Sequence, residues 1–459
     1  MAARPAARPP ASCVNLAETV ELLHRHLTAA LCHTVFQRVR DRERQRRWTL
    51  AALAQFWMTV ILTAPRSLTQ ALQESGLMFP ALGAAARTSP EAFFQRAERL
   101  RPHFFQALYE AFIVQLVADA RPLYAAAVSG LQERFVEVWV LDGSRLDQVA
   151  HRLKLTWDVR SALLPGCLLV LYDLLRGFPR QIAFCADAAR SEVRRAQELL
   201  AQIPPGTLLV ADRLYASMPF VVALSQHQLW GVLRLNRQLK VQPVKLLRRV
   251  QRGGGTLTER LVVVGSGQTA PPQRMRHIRW RARREAVDLL TTVLKPTQLR
   301  AEEALTCYRL RWQVERLFFD LKEVLDLHHF YLASPRGVAQ QVYAAGLVYA
   351  AMRVAQARIA ERHDLTPEQL SPAKLFPRVA RVSIVIVDAE SAFAATQRAN
   401  PGVVLTKPDW AELPSTQVAL AALMLERRRG RRRKRRYCAS RHQWKSFTHL
   451  PGVRKFDLS

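Results

Sequence analysis

The sequence lacks any regular pattern of cysteines. Its 459 residues contain six, at positions 13, 32, 167, 185, 307 and 438, and none forms a Cys-x-x-Cys pair. This argues against a disulfide framework and against a zinc ribbon, and it favours free thiols in a reducing compartment. Near the C-terminal end, Cys438, His442 and His449 match no spacing that is typical of a zinc site.

Long apolar runs are also missing. The most apolar stretch, residues 342–352, is followed by Arg353 and is shorter than the roughly 20 residues that a membrane span requires. The N-terminal segment MAARPAARPPAS has no apolar centre, unlike a secretory signal. We therefore expect a soluble, cytoplasmic protein with no membrane partner.

Acidic side chains are few in comparison with basic ones. There are 37 Asp and Glu residues against 68 Lys and Arg, which gives a net charge of +31. Such an excess favours a polyanionic partner. The excess is densest in residues 427–436, so residues 426–459 are predicted to form a basic, disordered tail that suits a polyanion. Taken alone, that tail would also fit a nuclear-localisation signal or a ribosome-binding arm.

One helical segment carries a carboxylate among cationic and phenolic side chains. Tyr308, Arg311, Glu315 and Lys322 are separated by three, four and seven residues, which places them on one strip of a helix. A separate sector is apolar: Leu310, Val314, Leu317, Phe318, Leu321 and Val324. The strip favours a metal-dependent nuclease or phosphoryl-transfer site. An Arg311–Glu315 ion pair on a solvated helix is the simpler alternative.

Two further acids follow predicted strands upstream. Residues 135–141 (FVEVWVL) end at Asp142, and the short apolar run 207–211 (TLLVA) ends at Asp212. Ligands of open α/β sheets bind at the carboxyl ends of strands. Individually, Asp142 could begin an Asp-Gly turn and Asp212 could cap a helix. Together with Glu315 they favour a site of three carboxylates.

The order of predicted elements gives the fold class. Strands at 167–173 and 181–185 follow the Asp142 strand, then a helix from 191 to about 203, the Asp212 strand, a helical stretch at 219–228 and a strand at 230–235. This order predicts an α/β fold with a ribonuclease-H-like catalytic core, residues 129–335, in which the first and fourth strands lie side by side. A β-rich insertion is expected at 237–290, and helical regions at 1–128 and 336–425.

These residues resemble the motifs of a known enzyme family. The Tyr-x2-Arg-x3-Glu-x6-Lys spacing is similar to the signature of DDE transposases of bacterial insertion sequences, in the insertion sequence four family. Asp-Gly-Ser at 142–144 resembles the family's first-aspartate motif. Asp-Arg-Leu-Tyr at 212–215 resembles the second, although Gly is common where Leu214 stands. The resemblance covers about residues 128–329.

The resemblance implies Mg²⁺-dependent DNA cleavage at transposon ends, then strand transfer into target DNA, with a hairpin intermediate in this group. Asp142, Asp212 and Glu315 would be the catalytic residues and the metal ligands. Three carboxylates within about 4 Å repel by roughly 4 kcal/mol per pair at an effective dielectric near 20, so they require a dication. Oxygen ligands select Mg²⁺, with Mn²⁺ as a substitute, and two ions suit this chemistry.

The same resemblance implies the partners. Tyr308, Arg311 and Lys322 would bind phosphates of the DNA end. Double-stranded DNA would be the substrate, both as terminal inverted repeats and as target, with a homodimer in the synaptic complex and a bacterial, nucleoid-associated location. Two alternatives stay open: a metal-dependent DNA nuclease of the same fold without strand transfer, and a catalytically silent DNA-binding protein.

Overall fold

The computed structural model describes most of the chain between residues 13 and 425. The described residues are 13–15, 17–45, 47–78, 89–146, 166–187, 190–265, 270–283, 285–327, 329–332, 334–380, 396–397, 399–400, 402, 417–420 and 423–425. The predicted basic tail lies outside them, as do Cys438, His442 and His449.

After a short strand, the N-terminal part is helical. Its elements are β1 (Cys13–Asn15), α1 (Ala17–His26), α2 (Ala29–Val39), α3 (Leu50–Thr63), α4 (Leu68–Met78), α5 (Pro90–Arg99) and α6 (His103–Asp119). Polar residues fix several helix starts, because their side chains accept from orphan backbone N–H groups. Ser89 caps α5 in this way. Thr28 accepts from Leu31 at 3.1 Å and begins α2.

A nine-stranded sheet forms the centre of the described chain, and two α-helices lie between its strands along the sequence. In chain order, the elements are β2 (Val138–Arg145), β3 (Cys167–Asp173), β4 (Phe178–Cys185), α7 (Glu192–Leu200), β5 (Leu208–Ala211), α8 (Met218–Gln226), β6 (Trp230–Arg234), β7 (Val241–Arg252), β8 (Gly255–Val264), β9 (Gln273–Ala282) and β10 (Glu285–Thr291). The spatial order is β4-β3-β2-β5-β6-β10-β9-β8-β7. The mixed α/β class predicted from the sequence is therefore confirmed.

The centre of this sheet places β2 beside β5. These two strands run parallel, as do β5 and β6, whereas β3 and β4 join antiparallel to β2. The expected adjacency of the first and fourth predicted strands is thus observed. The predicted bounds of the first strand, 135–141, were wrong, because pairing with β3 continues as far as Arg145.

The segment predicted to be β-rich contains β7, β8 and β9, which form an antiparallel meander. The next strand along the chain, β10, pairs with both β9 and β6. The meander is therefore continuous with the central sheet. Trp280 on β9 is only 2% exposed and lies against Gly255 of β8. Its burial agrees with a structural role for this ring within the strand.

Two 3-10 segments, Ala126–Glu133 and Arg213–Tyr215, lie before β2 and after β5. The remaining elements are α9 (Ala301–Leu310), α10 (Trp312–Phe319), a π-helical turn (Asp320–Val324), α11 (Pro335–Arg362), a 3-10 turn (Pro367–Gln369) and β11 (Gln417–Ala419), which pairs with β1. The regular helix predicted across 308–322 was wrong in detail. The N–H of Arg311 is shared between the carbonyls of Cys307 and Tyr308, and α9 ends there. A π-type bond from Leu325 N to Asp320 O, 2.9 Å, closes the last turn.

Helix α11 is buried along almost its whole length, against α3, α6 and β4. Its Arg353 is buried as well: Nε donates to the carbonyl of Gly177 at 2.7 Å, and the guanidinium lies 4.1 Å from the centre of the Tyr124 ring. The apolar stretch 342–352 therefore belongs to the protein core. None of the helices in the described ranges has the length and apolar character needed to cross a bilayer.

Candidate active site

Two adjacent strands position the first two predicted carboxylates. The last residue pair shared by β2 and β5 is Leu141 with Ala211. Asp142 and Asp212 each come directly after these residues, so the sheet brings both to the same edge. All residues of β5 are buried, as is typical of a central parallel strand that is covered on both faces.

The two aspartates do not serve the local roles that their positions alone suggested. Asp142 lies inside β2, because the strand continues past it. Asp212 precedes a 3-10 turn but makes no capping hydrogen bond to it. Its Oδ1 instead accepts a hydrogen bond of 2.8 Å from the hydroxyl of Tyr308 on α9. Both side chains therefore face the region where α9 meets α10.

Arg311, at the junction of α9 and α10, links two of the carboxylates. Its Nη1 donates to Asp142 Oδ2, and its Nη2 donates to Glu315 Oε1 at 3.0 Å. Arg311 is only 4% exposed, whereas the Asp142 and Glu315 side chains are 16% and 36% exposed. The interactions are therefore partly buried, unlike the fully solvated pair of the simpler alternative. The guanidinium also lies 5.7 Å and 5.6 Å from the ring centres of Tyr308 and Trp312.

The electrostatics of this cluster follow from burial and from an excess of negative charge. Burial raises the pKa of Asp142 to about 7, and Glu315 adds to this rise, whereas Arg311 opposes it. Burial likewise raises the pKa of Glu315, with a further contribution from Asp212. For Arg311, burial disfavours the charge, but the surrounding acids outweigh it and raise its pKa. One buried cation thus links Asp142 and Glu315 and interacts electrostatically with Asp212.

Tyr308 stays protonated in this environment. Burial and the neighbouring Asp212 raise the pKa of its hydroxyl to about 12. It is therefore a donor at neutral pH, which agrees with its hydrogen bond to Asp212.

Lys322, the last residue of the predicted strip, lies at the outer end of β2. Its Nζ donates to the Ser144 hydroxyl at 2.9 Å and to the Arg145 carbonyl at 2.6 Å. The structure therefore places it beside Asp142's strand but brings it to no carboxylate of the cluster through these bonds. Four of the six predicted site residues lie around a fifth, Arg311: Asp142, Asp212, Tyr308 and Glu315.

Sequence reasoning missed Glu192 and Tyr215. The Tyr215 hydroxyl, buried behind Asp212, donates to Glu192 Oε1. Glu192 also contributes to the raised pKa of Asp142, after burial and Glu315. The Ser-Glu pair at 191–192 indicated only a helix start, which is a common role for these residues. A contact between different elements leaves no signal in local spacing.

The donor set of the cluster suits a hard divalent cation, because it consists of carboxylate oxygens. Within the described ranges, no three His, Cys, Asp or Glu side chains are grouped to hold a metal ion as they stand. Arg311 lies between Asp142 and Glu315 and supplies the positive charge there. Its Nε is buried and has no hydrogen-bond partner among the described residues. The residue types fit Mg²⁺ or Mn²⁺, provided that the guanidinium turns aside.

Comparisons with known proteins bear on the same part of the chain. Residues 145–351 match a family model described as a transposase DDE domain. The matched range includes Asp212 and Glu315 and begins just after Asp142. Among solved structures, the chain is similar to a cryo-EM structure of a piggyBac transposase synaptic complex with hairpin DNA, at 10% identity and a TM-score of 0.40, over 88% of this chain and 89% of that one. No curated protein matches. The family match supports a DDE transposase.

Proposed function

We propose that this protein is a transposase that cuts DNA at transposon ends with the help of divalent cations and joins those ends to target DNA. The observation that carries this proposal is the convergence of Asp142, Asp212 and Glu315 around Arg311. Two adjacent strand ends and one later helix supply these carboxylates. The family match across residues 145–351 supports the same class of enzyme.

A ribonuclease-H-like core is part of the proposal. The strand order β4-β3-β2-β5-β6 supports it, with the parallel pair β2–β5 at the centre and antiparallel β3 and β4 to one side. We retain the domain bounds 129–335 for this core, 237–290 for its β-rich insertion, and 1–128 and 336–425 for the flanking regions. We also retain membership of the insertion sequence four family, in bacteria.

Asp142, Asp212 and Glu315 would hold two Mg²⁺ ions, with Mn²⁺ as a substitute. Such ions supply a polarised nucleophile and stabilise charge on the departing oxygen. The protein's own residues prepare the site. Tyr308 fixes one oxygen of Asp212 by a 2.8 Å hydrogen bond, and Arg311 neutralises Asp142 and Glu315 until other positive charge is present.

Phosphates of the DNA end would then be bound by Arg311, Tyr308 and Lys322. A guanidinium offers paired donors to a phosphate, and an ammonium acts as a point charge beside one. The net charge of +31 supports a nucleic-acid partner for the whole chain. We propose terminal inverted repeats and target DNA as the two substrates, a homodimer as the synaptic form, and the bacterial nucleoid as the location.

The test uses purified full-length protein with linear DNA that carries the element's terminal repeats and a supercoiled target plasmid. We expect end cleavage and joined products with Mg²⁺, and neither with excess EDTA. Cleavage without joined products would identify a nuclease of the same fold. End binding without cleavage, in both Mg²⁺ and Mn²⁺, would contradict the enzymatic proposal and leave a silent DNA-binding protein.

A further inference from the structure

Arg234 is the last residue of β6, the strand that follows β2 and β5 in the sheet. The last residue pair shared by the parallel strands β5 and β6 is Ala211 with Leu233. The next residues, Asp212 and Arg234, therefore lie side by side, at the edge where Asp142 lies on β2. Three adjacent strands thus carry a charged residue at this edge, and the third charge is positive.

The alternation of side chains places Arg234 on the same face of the sheet as Asp212. Leu233 belongs to one core cluster and Val232 to another, the one that contains Tyr308. Because successive side chains of a strand point to opposite faces, Arg234 lies on the face of Val232, where Tyr308 donates to Asp212. Burial and Asp212 raise the pKa of Tyr308, and the charge of Arg234 is among those that lower it. The electrostatics therefore agree with the register.

The Arg234 guanidinium has no carboxylate partner in the part of the chain that the structure describes. The carboxylates beside it accept hydrogen bonds from Tyr308 and Arg311 instead. Within the same ranges, the Arg234 side chain makes neither an ion pair nor a hydrogen bond, and it is partly exposed. A guanidinium has five N–H donors and can bind one phosphate through two of them. Arg234 is thus open to an incoming anion, whereas Arg311 is occupied.

Lys322 provides a positive charge on the other side of the carboxylates. Its Nζ donates to Ser144 and Arg145 at the outer end of β2, whereas Arg234 lies on β6. Neighbouring strands are about 4.8 Å apart, so β6 lies roughly 10 Å from β2, with β5 between them. A DNA strand with one phosphodiester bond over the carboxylates would therefore meet a cation on either side.

We propose that Arg234 binds a DNA phosphate on the Asp212 side of the cleavage site, and that the cleaved strand crosses the sheet edge from Arg234 to Lys322. This inference rests on the proposed function, because it gives the DNA strand a path through the same site. Arg234 holds the substrate and aligns the phosphodiester bond over the carboxylates. Its contact is to the backbone of DNA, so it carries no base preference.

Single methylphosphonate substitutions in terminal-repeat DNA test the contact, because each removes the charge of one phosphate. Where a cation meets the phosphate, we expect wild-type affinity in gel-shift titrations to fall about tenfold to a hundredfold. In Arg234→Gln, one of these positions should have no further effect, and the slope of log affinity against log salt should become shallower by about one. Arg190→Gln is the matched control, since Arg190 is exposed and pairs with Glu198 at 2.7 Å.

Lys322→Gln locates the second contact. We expect its insensitive position to lie on the opposite side of the bond at the end of the repeat from the position for Arg234→Gln. Two positions on the same side would overturn the path. Wild-type sensitivity at every phosphate in Arg234→Gln would overturn the contact.

Cleavage by the wild-type protein separates this inference from the proposed function. If the wild type cleaves and Arg234→Gln keeps wild-type sensitivity, only the inference fails. If the wild type binds this DNA and does not cleave it, the proposed function fails and the sensitivity of Arg234→Gln still decides the contact. No binding by the wild type would overturn both. Thermal unfolding shows whether each variant folds. If Arg234→Gln does not, Arg234→Lys takes its place, and wild-type sensitivity there overturns the contact, because an ammonium lacks the paired donors.

Discussion

Asp142 and Arg311, 169 residues apart in the sequence, form a partly buried ion pair where the central strands β2 and β5 stop pairing. The same guanidinium reaches Glu315, so a single cation balances two acids directly and lies within electrostatic reach of Asp212. Arg311 therefore supplies the positive charge that offsets these carboxylates. We expect loss of the Arg311 guanidinium to lower the stability of the protein. Binding of a metal ion in its place should restore part of that stability.

Neutralising any one carboxylate of the cluster should abolish DNA cleavage. Asp142→Asn, Asp212→Asn and Glu315→Gln keep side-chain shape but remove the negative charge that a divalent cation needs. We expect cleavage of terminal DNA to fall below detection with Mg²⁺, while gel-shift binding of the same DNA is largely retained. A variant that still cuts would remove its residue from the metal site, and Glu198→Gln should cut like the wild type.

Replacing Arg311 should destabilise the protein. In Arg311→Met, Asp142 and Glu315 lose their common partner, which costs up to about 3–5 kcal/mol for a buried pair. Protonation of Asp142, whose pKa is already raised to about 7, limits that cost. Urea unfolding at pH 7.5 measures the change. Arg190→Met is the control, because Arg190 pairs with Glu198 in an exposed bridge worth less than about 1 kcal/mol.

Mn²⁺ should restore part of the stability that Arg311→Met loses. Where the guanidinium no longer competes for Asp142 and Glu315, a dication can supply the missing charge, and binding to the folded state raises the free energy of unfolding. We expect the midpoint of thermal unfolding to rise more with Mn²⁺ in Arg311→Met than in the wild type. An equal rise in both proteins would indicate that the ion binds elsewhere.

Much of this fold could be predicted from local sequence patterns. Local patterns fail where the backbone departs from regular helical geometry. The strand at 167–173 was predicted with the bounds that β3 has. A uniform turn of 100° per residue, however, leaves Asp320 outside the predicted apolar sector. In the structure Asp320 is fully buried and accepts from Arg316 Nε at 3.0 Å. The break at Arg311 and the π-helical turn change the direction of later side chains, and spacing alone cannot show either.

The positions of the predicted site residues show the same limits of local patterns. Asp142 and Asp212 were predicted to be neighbours because each follows a strand, and the β2–β5 pairing brings them together. Arg311 was expected to face DNA phosphates, but in this structure it binds Asp142 and Glu315. Its burial depends on where three separate elements meet, which no local pattern encodes.

Stability should fall as pH rises through the range in which Asp142 loses its proton. Its pKa is about 7 in the folded protein against an ordinary value of 3.8. Between these values the folded state binds the extra proton, so its stabilising effect is present near pH 4 and is lost by about pH 7. The difference in unfolding free energy between wild type and Asp142→Asn, measured from pH 4.5 to 8, should show this slope. A flat difference would contradict the raised pKa.

Glu303 should show the opposite dependence. Burial opposes its charge, but Arg134 and Arg300 outweigh burial and lower its pKa to about 2 from an ordinary 4.5. Its contribution is therefore present above about pH 4.5 and is lost as pH falls toward 2. Glu303→Gln should be less stable than the wild type at pH 6, with the gap closing below pH 4. A gap that is as large at pH 3 as at pH 6 would mean that the ion pairs are not its source.

A cross-strand disulfide should form between Cys167 and Cys185 under oxidation. These residues are directly opposite in the antiparallel pair β3–β4, and both sulfurs lie near the carbonyl of Asp187, at 4.0 and 3.3 Å. Opposed residues in such a pair have Cα atoms about 4.5–5.5 Å apart, within the range of a disulfide. Treatment with diamide followed by peptide mapping without reductant should yield the linked peptides, whereas buried Cys32 and Cys307 should stay reduced. Failure of this crosslink in folded protein would contradict the register of β3 on β4, in which Cys167 lies opposite Cys185.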